Sequence, residues 1–297
     1  MQKRQIDLSV IIINLSTDKY HTKKQLEIAL KSMVPALQKV KYEVIVVDNS
    51  TIDDGTHEMS SRYIKNLVYL KRNSVFSFCN NNNYGLRQTN GRYVLFLNND
   101  IKLLDDKIFE EMVEWMDINQ QVAVTSPALL NNGQQTIQAS GGSFPTLLRV
   151  IAWMTFLNNS YHHKLSYYNN EHSQDWVTGA FYLVRKDILD KIGAFDEDYE
   201  AYVEEVDLSY RIKSIGHEIV YLPRWQIIHF GGQSYGNNNS LILELKNIKL
   251  FYKKHYPAWQ LPILNFVIKL GCILRIIVFG VFKPNLVNIY AKAIKSV

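Results

Sequence analysis

The sequence predicts an α/β fold in which a Rossmann-like, mostly parallel sheet carries helices on both faces, with a helical segment at the C-terminus. The first hundred residues alternate short apolar runs with stretches of helical periodicity, as repeated strand–helix units do. Polar clusters stand directly after several apolar runs. With 47% hydrophobic and 12% aromatic residues among 297, the composition is that of a globular chain with a sizeable core. Ligands of such sheets bind beyond the carboxyl ends of the strands.

Strands are predicted where continuous apolar runs indicate segments buried on both faces. These runs cover residues 8–13, 42–47, 67–70, 93–97, 122–125 and 176–184. Helices are predicted where apolar residues recur at helical spacing, at 26–37, 108–116 and 208–215. Gly216 follows the last helix and suits the left-handed position beyond a helix end. The long polar stretch 131–175 is expected to be irregular and to form a flap beside the site.

The C-terminal part changes character. Residues 241–256 have the pattern of an amphipathic helix, and residues 261–282 are almost wholly apolar. The apolar run reaches the roughly 20 residues that span a bilayer, but Lys269 and Arg275 lie near its middle. Each charge costs about 2.5–3.5 kcal/mol at the membrane centre. We therefore expect an in-plane or re-entrant membrane segment with snorkelling Lys269 and Arg275, and an ordinary buried helix is the alternative.

The charge of the chain is unevenly placed. The net charge is +5, and residues 237–297 carry nine basic residues against the single acid Glu244. A basic tail around an apolar segment favours an anionic membrane surface as partner, and not nucleic acid; for residues 246–254 a solvated basic helix is the alternative. The two cysteines are far apart, and Met1 leads directly into the first strand. The sequence therefore predicts no signal peptide, no disulfide and a reducing cytoplasm.

Two polar residues at the ends of apolar runs can hold a metal ion. Asp100 closes a polar triplet after the fourth strand, and His229 ends a later run. Carboxylate oxygens suit Mg²⁺ or Mn²⁺, and an imidazole beside them favours Mn²⁺. A diphosphate leaving group needs such an ion to absorb its charge. A structural histidine is the alternative, but Gly231, Gly232 and Ser234 after it indicate a backbone that approaches a ligand closely.

Other carboxylates also follow apolar segments. Asp48 can accept hydrogen bonds from the imide of uracil or thymine or from a ribose, or it can cap the following turn. Glu204 and Glu205 are adjacent before a predicted helix, and like charges this close raise a pKa, which suits a general base. The helix N-terminus opposes that shift. Simple helix capping is the alternative, above all for Asp207.

Several function classes are disfavoured. No glycine-rich dinucleotide loop and no Walker loop occur among the 14 glycines, which argues against dinucleotide oxidoreduction and ATPase chemistry. No Cys/His grouping has zinc-ligand spacing. A nucleotidyltransferase would share the α/β start and a metal carboxylate. It would also need a glycine-rich, basic loop after the first strand, and residues 14–18 lack one.

Seven short motifs stand at the predicted strand ends and loops. They are Ser9-Val-Ile-Ile-Ile-Asn14, Val46-Val-Asp48, Ser77-Phe-Cys-Asn-Asn-Asn-Asn83-Tyr-Gly85, Asn98-Asn-Asp100, Trp176-Val-Thr-Gly-Ala180, Glu204-Glu-Val-Asp207 and His229-Phe-Gly-Gly-Gln-Ser234. In combination they resemble the motifs of inverting family 2 glycosyltransferases of the GT-A fold. Within that family they resemble the rhamnosyltransferase-like branch of bacterial O-antigen and capsule synthesis. The resemblance runs from about residue 8 to residue 234.

This resemblance implies roles for individual residues. The nucleotide-sugar would be bound by Asn14, Asp48, Asn82, Asn83, Gly85, Asn99 and Asp100. The acceptor would contact Trp176, Thr178, Gly179 and Asp207. Asp100 and His229 would bind Mn²⁺ or Mg²⁺, and the catalytic base would be Glu205 with Glu204 beside it.

The chain departs from the family's pattern at four of these motifs. Ser77 replaces a loop glycine, Glu205 stands where aspartate is usual, Ile13 replaces a tyrosine, and Asn99 stands where proline or aspartate is commoner. These departures bear on the donor sugar more than on the reaction. Tyr221 takes the glutamine position of the Gln-x-x-Arg-Trp motif of processive synthases, which favours transfer of a single sugar.

The predicted function is therefore transfer of L-rhamnose from dTDP-rhamnose to a polyprenyl-diphosphate-linked saccharide, at the cytoplasmic face of the bacterial inner membrane. The enzyme would be peripheral or monotopic. A UDP-hexose donor and a non-catalytic sugar-nucleotide-binding scaffold are the alternatives. Three parts are expected: a nucleotide-sugar-binding half (1–100), an acceptor-binding and catalytic half (101–236), and membrane-associated helices (237–297).

Overall fold

The computed structural model describes residues 6–18, 20–133, 136–157, 165–231, 237–282 and 286–296. Gly232 and Ser234, which the sequence predicts beside a ligand, lie outside these ranges. The fold is a mixed α/β arrangement with a central, mostly parallel sheet and helices around it, as predicted.

The first part of the chain alternates strands and helices, which confirms the predicted repeated units. Its elements are β1 (Ile6–Asn14), α1 (Lys23–Leu37), β2 (Tyr42–Asp48), α2 (Thr56–Tyr63), β3 (Leu67–Lys71), α3 (Phe78–Leu86) and β4 (Gly91–Leu97). In β1, Val10 and Ile12 pack into one apolar cluster and Ile11 into another. Both faces of this strand are therefore covered, which explains its continuous apolar run.

The second part is more irregular. Its elements are β5 (Ile101–Leu103), α4 (Ile108–Ile118), β6 (Val122–Asn131), β7 (Gly141–Gly142), α5 (Leu147–Met154), β8 (His172–Ser173), β9 (Trp176–Val177), β10 (Phe181–Arg185), α6 (Lys186–Ile192), α7 (Glu204–Ser214) and β11 (Glu218–His229). The run 176–184 breaks into two strands because β9 pairs with β7 in a separate small sheet. The expected flap 131–175 contains α5, which packs against a C-terminal helix, so this part of the flap prediction is wrong.

The strand order of the main sheet creates the site. Among the described residues the order is β3-β2-β1-β4-β10-β6-β11-β5, with β8 also paired to β11. β1 lies parallel to both β2 and β4, while β10 is antiparallel to its neighbours. The chain leaves β1 toward β2 and returns to the other side of β1 as β4, so a crevice opens at their carboxyl ends. β5 pairs antiparallel with β11 at the far edge.

Three helices complete the chain: α8 (Asn237–His255), α9 (Gln260–Phe282) and α10 (Val287–Ser296). Of these, the sequence analysis missed α10. Ile248 of α8 and Leu264, Ile268 and Cys272 of α9 are buried in the same apolar cluster as residues of β1 and β4. One face of α9 is thus part of the apolar core that packs against the sheet.

The opposite face of α9 is apolar and open. Phe266 and Ile277 are 66% and 63% exposed, and Lys269 is exposed in the same stripe. Arg275 is buried instead, and its guanidinium donates to the carbonyls of Trp153 and Met154, each at 2.6 Å. It therefore binds the C-terminal carbonyls of α5, and the predicted snorkelling of Arg275 is wrong. By length and composition alone α9 could cross a membrane, but buried core helices pass the same test.

Candidate active site

A cavity of about 450 Å³ opens at the carboxyl ends of β1 and β4. Ile13 and Leu97 come from the two strand ends, and Phe76 and Phe78 come from the segment that leads into α3. The amide of Asn99 stands at its rim. The volume and the apolar walls with a few amides are those of a site for a ligand of nucleotide size.

Helix α3 forms one wall of this cavity. Its first turn is capped by Ser77, whose Oγ accepts a hydrogen bond from the backbone N–H of Asn80 at 3.2 Å. This cap gives a local reason for serine at a position where the family has glycine. Asn81 donates to the carbonyls of Phe76 and Ser77, while its Oδ1 is buried without a hydrogen-bond partner among the described residues. That oxygen can accept from a ligand, although the sequence analysis did not select Asn81.

Three neighbours of Asn81 in α3, for which donor contacts are predicted, are not among the residues that line the cavity. Asn82 is buried, and its amide donates to a carbonyl of its own helix. Asn83 donates to the carbonyl of Phe195 at 2.8 Å and so ties α3 to the chain after α6. A Cβ at Gly85 would lie 2.8 Å from Cγ2 of Ile11, so glycine is needed where α3 approaches β1. Asn82 and Asn83 lie on other sides of the helix than Asn81, and the contacts of all three residues with the donor stay predictions.

Asp48 and Asn14 also have their hydrogen bonds inside the protein. One oxygen of Asp48 accepts from Nζ of Lys71 at 2.8 Å and from the hydroxyl of Tyr69, and the other accepts from Asn14 and from the N–H of Ser50. Burial raises the pKa of Asp48, but these hydrogen bonds outweigh it and hold the pKa below its ordinary value. The two residues brace the chain after β2, and their direct contacts with the nucleotide stay a prediction.

Asp100 and His229 meet at the edge of the sheet. In the β5–β11 pair His229 lies opposite Ile101, and the N–H of Phe230 donates to the Asp100 carbonyl at 2.8 Å. Nε2 of His229 lies 3.4 Å from Oδ1 of Asp100. That oxygen is buried and has no hydrogen-bond partner in the part of the chain that the structure describes. The preceding residue, Asn99, lines the cavity, so the pair stands next to it.

The donor atoms of this pair fit a hard divalent cation that shares its coordination with a substrate. Within the described ranges no group of three or more His, Cys, Asp or Glu side chains could hold a metal ion. Mg²⁺ commonly binds through one or two carboxylates plus substrate phosphates and water. A carboxylate oxygen without a partner and a facing imidazole nitrogen suit Mn²⁺ as well.

Gln138 completes this arrangement, and the sequence analysis missed it. Its Oε1 lies 2.8 Å from Nδ1 of His229, and its Nε2 donates to the backbone carbonyl of His229 at 2.8 Å. The backbone N–H of Gln138 donates to the carbonyl of Leu129 at 2.7 Å, at the end of β6. A single glutamine in a polar loop carries no sequence signal for such a contact.

A pair of glutamates begins α7. They follow Tyr202 and Val203, which have φ of 67° and 72°, a left-handed conformation that is strained for a β-branched residue. Oε2 of Glu204 and Oε2 of Glu205 are buried without hydrogen-bond partners among the described residues. Burial raises the pKa of Glu205 to about 7, and burial together with the charge of Glu205 raises the pKa of Glu204. Such a pair can exchange a proton near neutral pH.

Helix α8 closes the other side of the glutamate pair. Asn247 is buried and donates to the carbonyls of Ala201 and Tyr202, at 2.7 and 2.8 Å, immediately before the strained turn. Burial and the charge of Glu205 raise the pKa of Glu244 in the same helix to about 7. Besides carrying basic residues, α8 therefore helps to build the site.

On the acceptor side the structure separates the predicted residues into two groups. Thr178 and Gly179 are partly exposed, and a Cβ at Gly179 would lie 3.6 Å from the ring of Phe78, a cavity wall. Trp176 is buried, and its indole N–H donates to the carbonyl of Ser143 at 3.2 Å. Trp176 thus ties β9 to the chain after β7, and its contact with the acceptor stays a prediction.

Asp207 is also a supporting residue. Its carboxylate is buried and accepts hydrogen bonds from Arg211 at 2.8 Å, from His255 at 2.6 Å and from Tyr199 at 3.3 Å. Burial raises the pKa of Asp207, but the bond from His255 and the charge and bond of Arg211 hold it below its ordinary value. With its oxygens engaged, Asp207 ties α7 to α8, and its contact with the acceptor stays a prediction.

Comparison with known proteins identifies relatives of this chain. The chain is similar to the rhamnosyltransferase WbbL of Escherichia coli, with 26% identity over 64% of this chain and 73% of the relative. It is similar to an N-acetylglucosaminyl-diphospho-decaprenol L-rhamnosyltransferase of Mycobacterium tuberculosis, with 29% identity over 36% of this chain and 35% of the relative. The O-antigen biosynthesis protein RfbC of Myxococcus xanthus matches at 25% identity over 63% of this chain, which spans only 15% of that protein.

Solved structures share the fold. The mannosyltransferase PcManGT of Pyrobaculum calidifontis, solved with GDP-Man and Mn²⁺, superposes with a TM-score of 0.61 at 14% identity, over 99% of this chain and 86% of the other. TarS 1-349 of S. aureus superposes with a TM-score of 0.56 at 16% identity, over 95% of this chain and 74% of the other. A model of the family described as glycosyl transferase family 2 matches residues 9–193, more than half of the chain, and the chain therefore belongs to glycosyl transferase family 2.

Proposed function

We propose that this glycosyltransferase is a metal-dependent, inverting enzyme that moves one L-rhamnose from dTDP-rhamnose to a polyprenyl-diphosphate-linked saccharide in bacterial surface-polysaccharide synthesis. The names of two relatives, both rhamnosyltransferases, support the donor sugar, and the decaprenol diphosphate in one name supports a lipid-linked acceptor. The observation that carries the proposal is the approach of Asp100 and His229 to 3.4 Å next to the cavity.

The nucleotide of the donor occupies the cavity between the ends of β1 and β4. The rings of Phe76 and Phe78 offer apolar surface to the base and the sugar. Oδ1 of Asn81, which is buried without a partner among the described residues, accepts a hydrogen bond from the ligand. Asn99 at the rim leads directly to Asp100, so the diphosphate end of the donor points toward the Asp100–His229 pair.

Asp100 and His229, whose Oδ1 and Nε2 lie 3.4 Å apart, would hold Mn²⁺ or Mg²⁺. When bound, the ion neutralises the charge that develops on the diphosphate leaving group. The protein contributes the placement of these two atoms on a rigid strand pair. A site on paired strands keeps its geometry better than one on a free loop.

Glu205 acts as the general base. It accepts the proton of the acceptor hydroxyl while that oxygen forms a bond with the anomeric carbon, on the face opposite the nucleotide. The bond between this carbon and the diphosphate oxygen breaks, and its electron pair leaves with the diphosphate, so the configuration inverts. General base catalysis contributes about 10²–10⁴-fold in rate. Glu204 stays protonated beside it, so that the pair carries one charge.

The acceptor reaches the site from a membrane surface. The open stripe of α9, with Phe266, Ile273 and Ile277 exposed, lies in the cytoplasmic leaflet of the inner membrane, and the enzyme is peripheral or monotopic. Lys269 in the stripe attracts anionic headgroups, with about 1 kcal/mol per basic residue. Because the other face of α9 is buried in the core, α9 lies along the membrane and does not cross it.

The donor site is tested by ligand-induced thermal stabilisation. Wild type, Asp100→Asn and His229→Ala are heated with dTDP-rhamnose, UDP-glucose or GDP-mannose, each with Mn²⁺, because a ligand that binds the native state raises Tm. We expect the largest increase with dTDP-rhamnose and its loss in both variants. An increase that needs neither Asp100 nor His229 would contradict the proposed metal site. A larger increase in Tm with UDP-glucose would indicate that the donor is a UDP-hexose and not dTDP-rhamnose.

Turnover is tested with a synthetic polyprenyl-diphosphate-linked saccharide. We expect transfer of one sugar with inverted anomeric configuration, as determined by NMR. Retained configuration would refute the single displacement. If the wild type binds the donor but neither transfers the sugar to the acceptor nor hydrolyses the donor, the result would favour the non-catalytic scaffold.

Membrane binding is tested by flotation of the full chain with vesicles of phosphatidylglycerol or of phosphatidylcholine. We expect binding to the anionic vesicles and its loss in Ile273→Glu. Ile118→Glu, at an 81% exposed position at the end of α4, is the matched control and keeps binding. Equal flotation of both variants would refute the role of α9. Point variants are preferable to deletion after Tyr256, since deletion would uncover the core that Leu264 and Ile268 fill.

A further inference from the structure

The two hydrogen bonds between Gln138 and His229 define the state of the histidine ring. The backbone carbonyl of His229 can only accept a hydrogen bond, so the atom of Gln138 that faces it at 2.8 Å is the amide Nε2. The other amide atom, Oε1, therefore faces Nδ1 of His229 at 2.8 Å. Because Oε1 can only accept, Nδ1 carries the hydrogen, and Nε2 is the ring atom that can offer a lone pair to a cation.

That lone pair faces a second acceptor. Nε2 of His229 lies 3.4 Å from Oδ1 of Asp100, and this oxygen is buried without a hydrogen-bond partner among the described residues. Two acceptors held face to face in a buried place are unfavourable unless a cation lies between them. The amide of Gln138 thus holds the ring so that Nε2 faces Oδ1 of Asp100, where a cation can lie between them.

The backbone holds Gln138 in this position from two sides. Its N–H donates to the carbonyl of Leu129 at 2.7 Å, and Ile137 forms an isolated bridge with Leu130. β6 in turn pairs with β11, with Asn131 opposite His229. The amide therefore meets the imidazole as part of the sheet edge, and the contact does not depend on a free loop.

We propose that Gln138 is a positioning residue that fixes the tautomer and orientation of His229 for binding of a divalent cation together with a nucleotide diphosphate. This inference rests on the proposed role of Asp100 and His229 as metal ligands. Partners that orient a metal-binding histidine typically contribute 10–100-fold to metal affinity. We therefore expect Gln138→Met, which is of similar length but has no amide, to bind Mn²⁺ about 10–100-fold more weakly than the wild type.

Gln138→Glu distinguishes two effects of Gln138, which are orientation of the His229 ring and support of the β11 backbone. A carboxylate still accepts from Nδ1 of His229, but it cannot donate to the backbone carbonyl. We expect Gln138→Glu to retain Mn²⁺ affinity to within about threefold of the wild type, although loss of the bond to the carbonyl lowers Tm in both variants. A purely structural contribution of Gln138 would reduce Mn²⁺ affinity in both variants equally, and that result would overturn the inference.

The measurement is a titration with Mn²⁺ followed by electron paramagnetic resonance of the free ion, in the presence of dTDP as a nucleotide that does not react. His229→Ala and Asp100→Asn serve as reference variants. If both lose Mn²⁺ and Gln138→Met binds it like the wild type, the metal site stands and the role of Gln138 is refuted. If His229→Ala and Asp100→Asn also bind Mn²⁺ like the wild type, the proposed function of the pair itself fails. Far-ultraviolet circular dichroism and Tm establish that each variant is folded.

Discussion

Replacing Glu205 by glutamine is expected to stabilise the protein and to remove most of its activity. The two effects have one cause, which is the burial of a carboxylate without a hydrogen-bond partner for Oε2 among the described residues. Burial raises the pKa of Glu205 from an ordinary 4.5 to about 7. In the unfolded chain the same group ionises freely in water.

The sign and size of the stability effect follow from linkage. Well below pH 4.5 the group is protonated in both states and has little effect. Between pH 4.5 and about 7 the unfolded state loses its proton first, so the free energy of unfolding of the wild type falls by about 1.4 kcal/mol per pH unit. Above pH 7 the loss levels off at up to about 3 kcal/mol. Glu205→Gln has no such loss, and it also removes the charge that raises the pKa of Glu204.

The activity changes in the opposite direction. A general base works only when ionised, so kcat/KM of the wild type should rise about tenfold per pH unit below pH 7 and level off above it. In Glu205→Gln we expect kcat to fall by about 10²–10⁴-fold. The binding of dTDP-rhamnose with Mn²⁺ should remain, because Glu205 is not among the residues of the donor cavity or the metal pair.

The assay is urea unfolding of both proteins at pH 5 and pH 8, combined with initial rates over the same pH range. We expect the variant to be more stable by less than about 1 kcal/mol at pH 5 and by up to about 3 kcal/mol at pH 8. Ile118→Glu, which changes an exposed side chain, provides the control for a charge effect far from the site. Equal stability of the wild type and the variant at pH 8, or activity of the variant near that of the wild type, would refute the reasoning.

Three further substitutions test contacts that position the site. Gly85→Ala places a Cβ 2.8 Å from Ile11. Because this overpacking exceeds the gain in helix propensity, urea unfolding should show that the free energy of unfolding falls by about 1–2 kcal/mol. Unchanged stability would contradict the close packing of α3. Arg275→Met leaves two carbonyls of α5 without their donor and should cost about 2 kcal/mol by the same measurement, whereas a neutral result would show that this contact is dispensable. Asn247→Asp keeps the shape of the side chain but cannot donate to the carbonyls of Ala201 and Tyr202, so kcat should fall at least tenfold while KM for the donor stays unchanged. A normal kcat would show that α8 does not position the general base.

Local pattern in the sequence was enough to predict most of the longer strands and five of the ten α-helices that the structure describes. Continuous apolar runs identified β1, β2, β3, β4 and β6 because strands covered on both faces need apolar side chains at every position. Polar residues at the strand ends, such as Asp100 and His229, were recognisable for the same reason, because each stands at the end of an apolar run. Helix α10 and the break between β9 and β10 were missed because packing and pairing with distant segments determine them.

The identity of the side chains that meet was decided by the tertiary structure. Four asparagines follow one another in α3, and only the rotation of the packed helix determines that Asn81 is the one that lines the cavity. The charge of Arg275 in an apolar helix predicted snorkelling, but the helix turns it onto the carbonyls of α5, a partner over a hundred residues away.

By itself the sequence determined an α/β fold with a polar site at the strand ends and an apolar C-terminal helix, because burial imposes a short-range pattern on the chain. Only the tertiary structure decided that the antiparallel β5–β11 pair brings Asp100 to His229 and that Gln138 orients the histidine. It also decided that α8 closes over Glu205. Contacts of this kind depend on how segments far apart in sequence pack together, and no local periodicity records that packing.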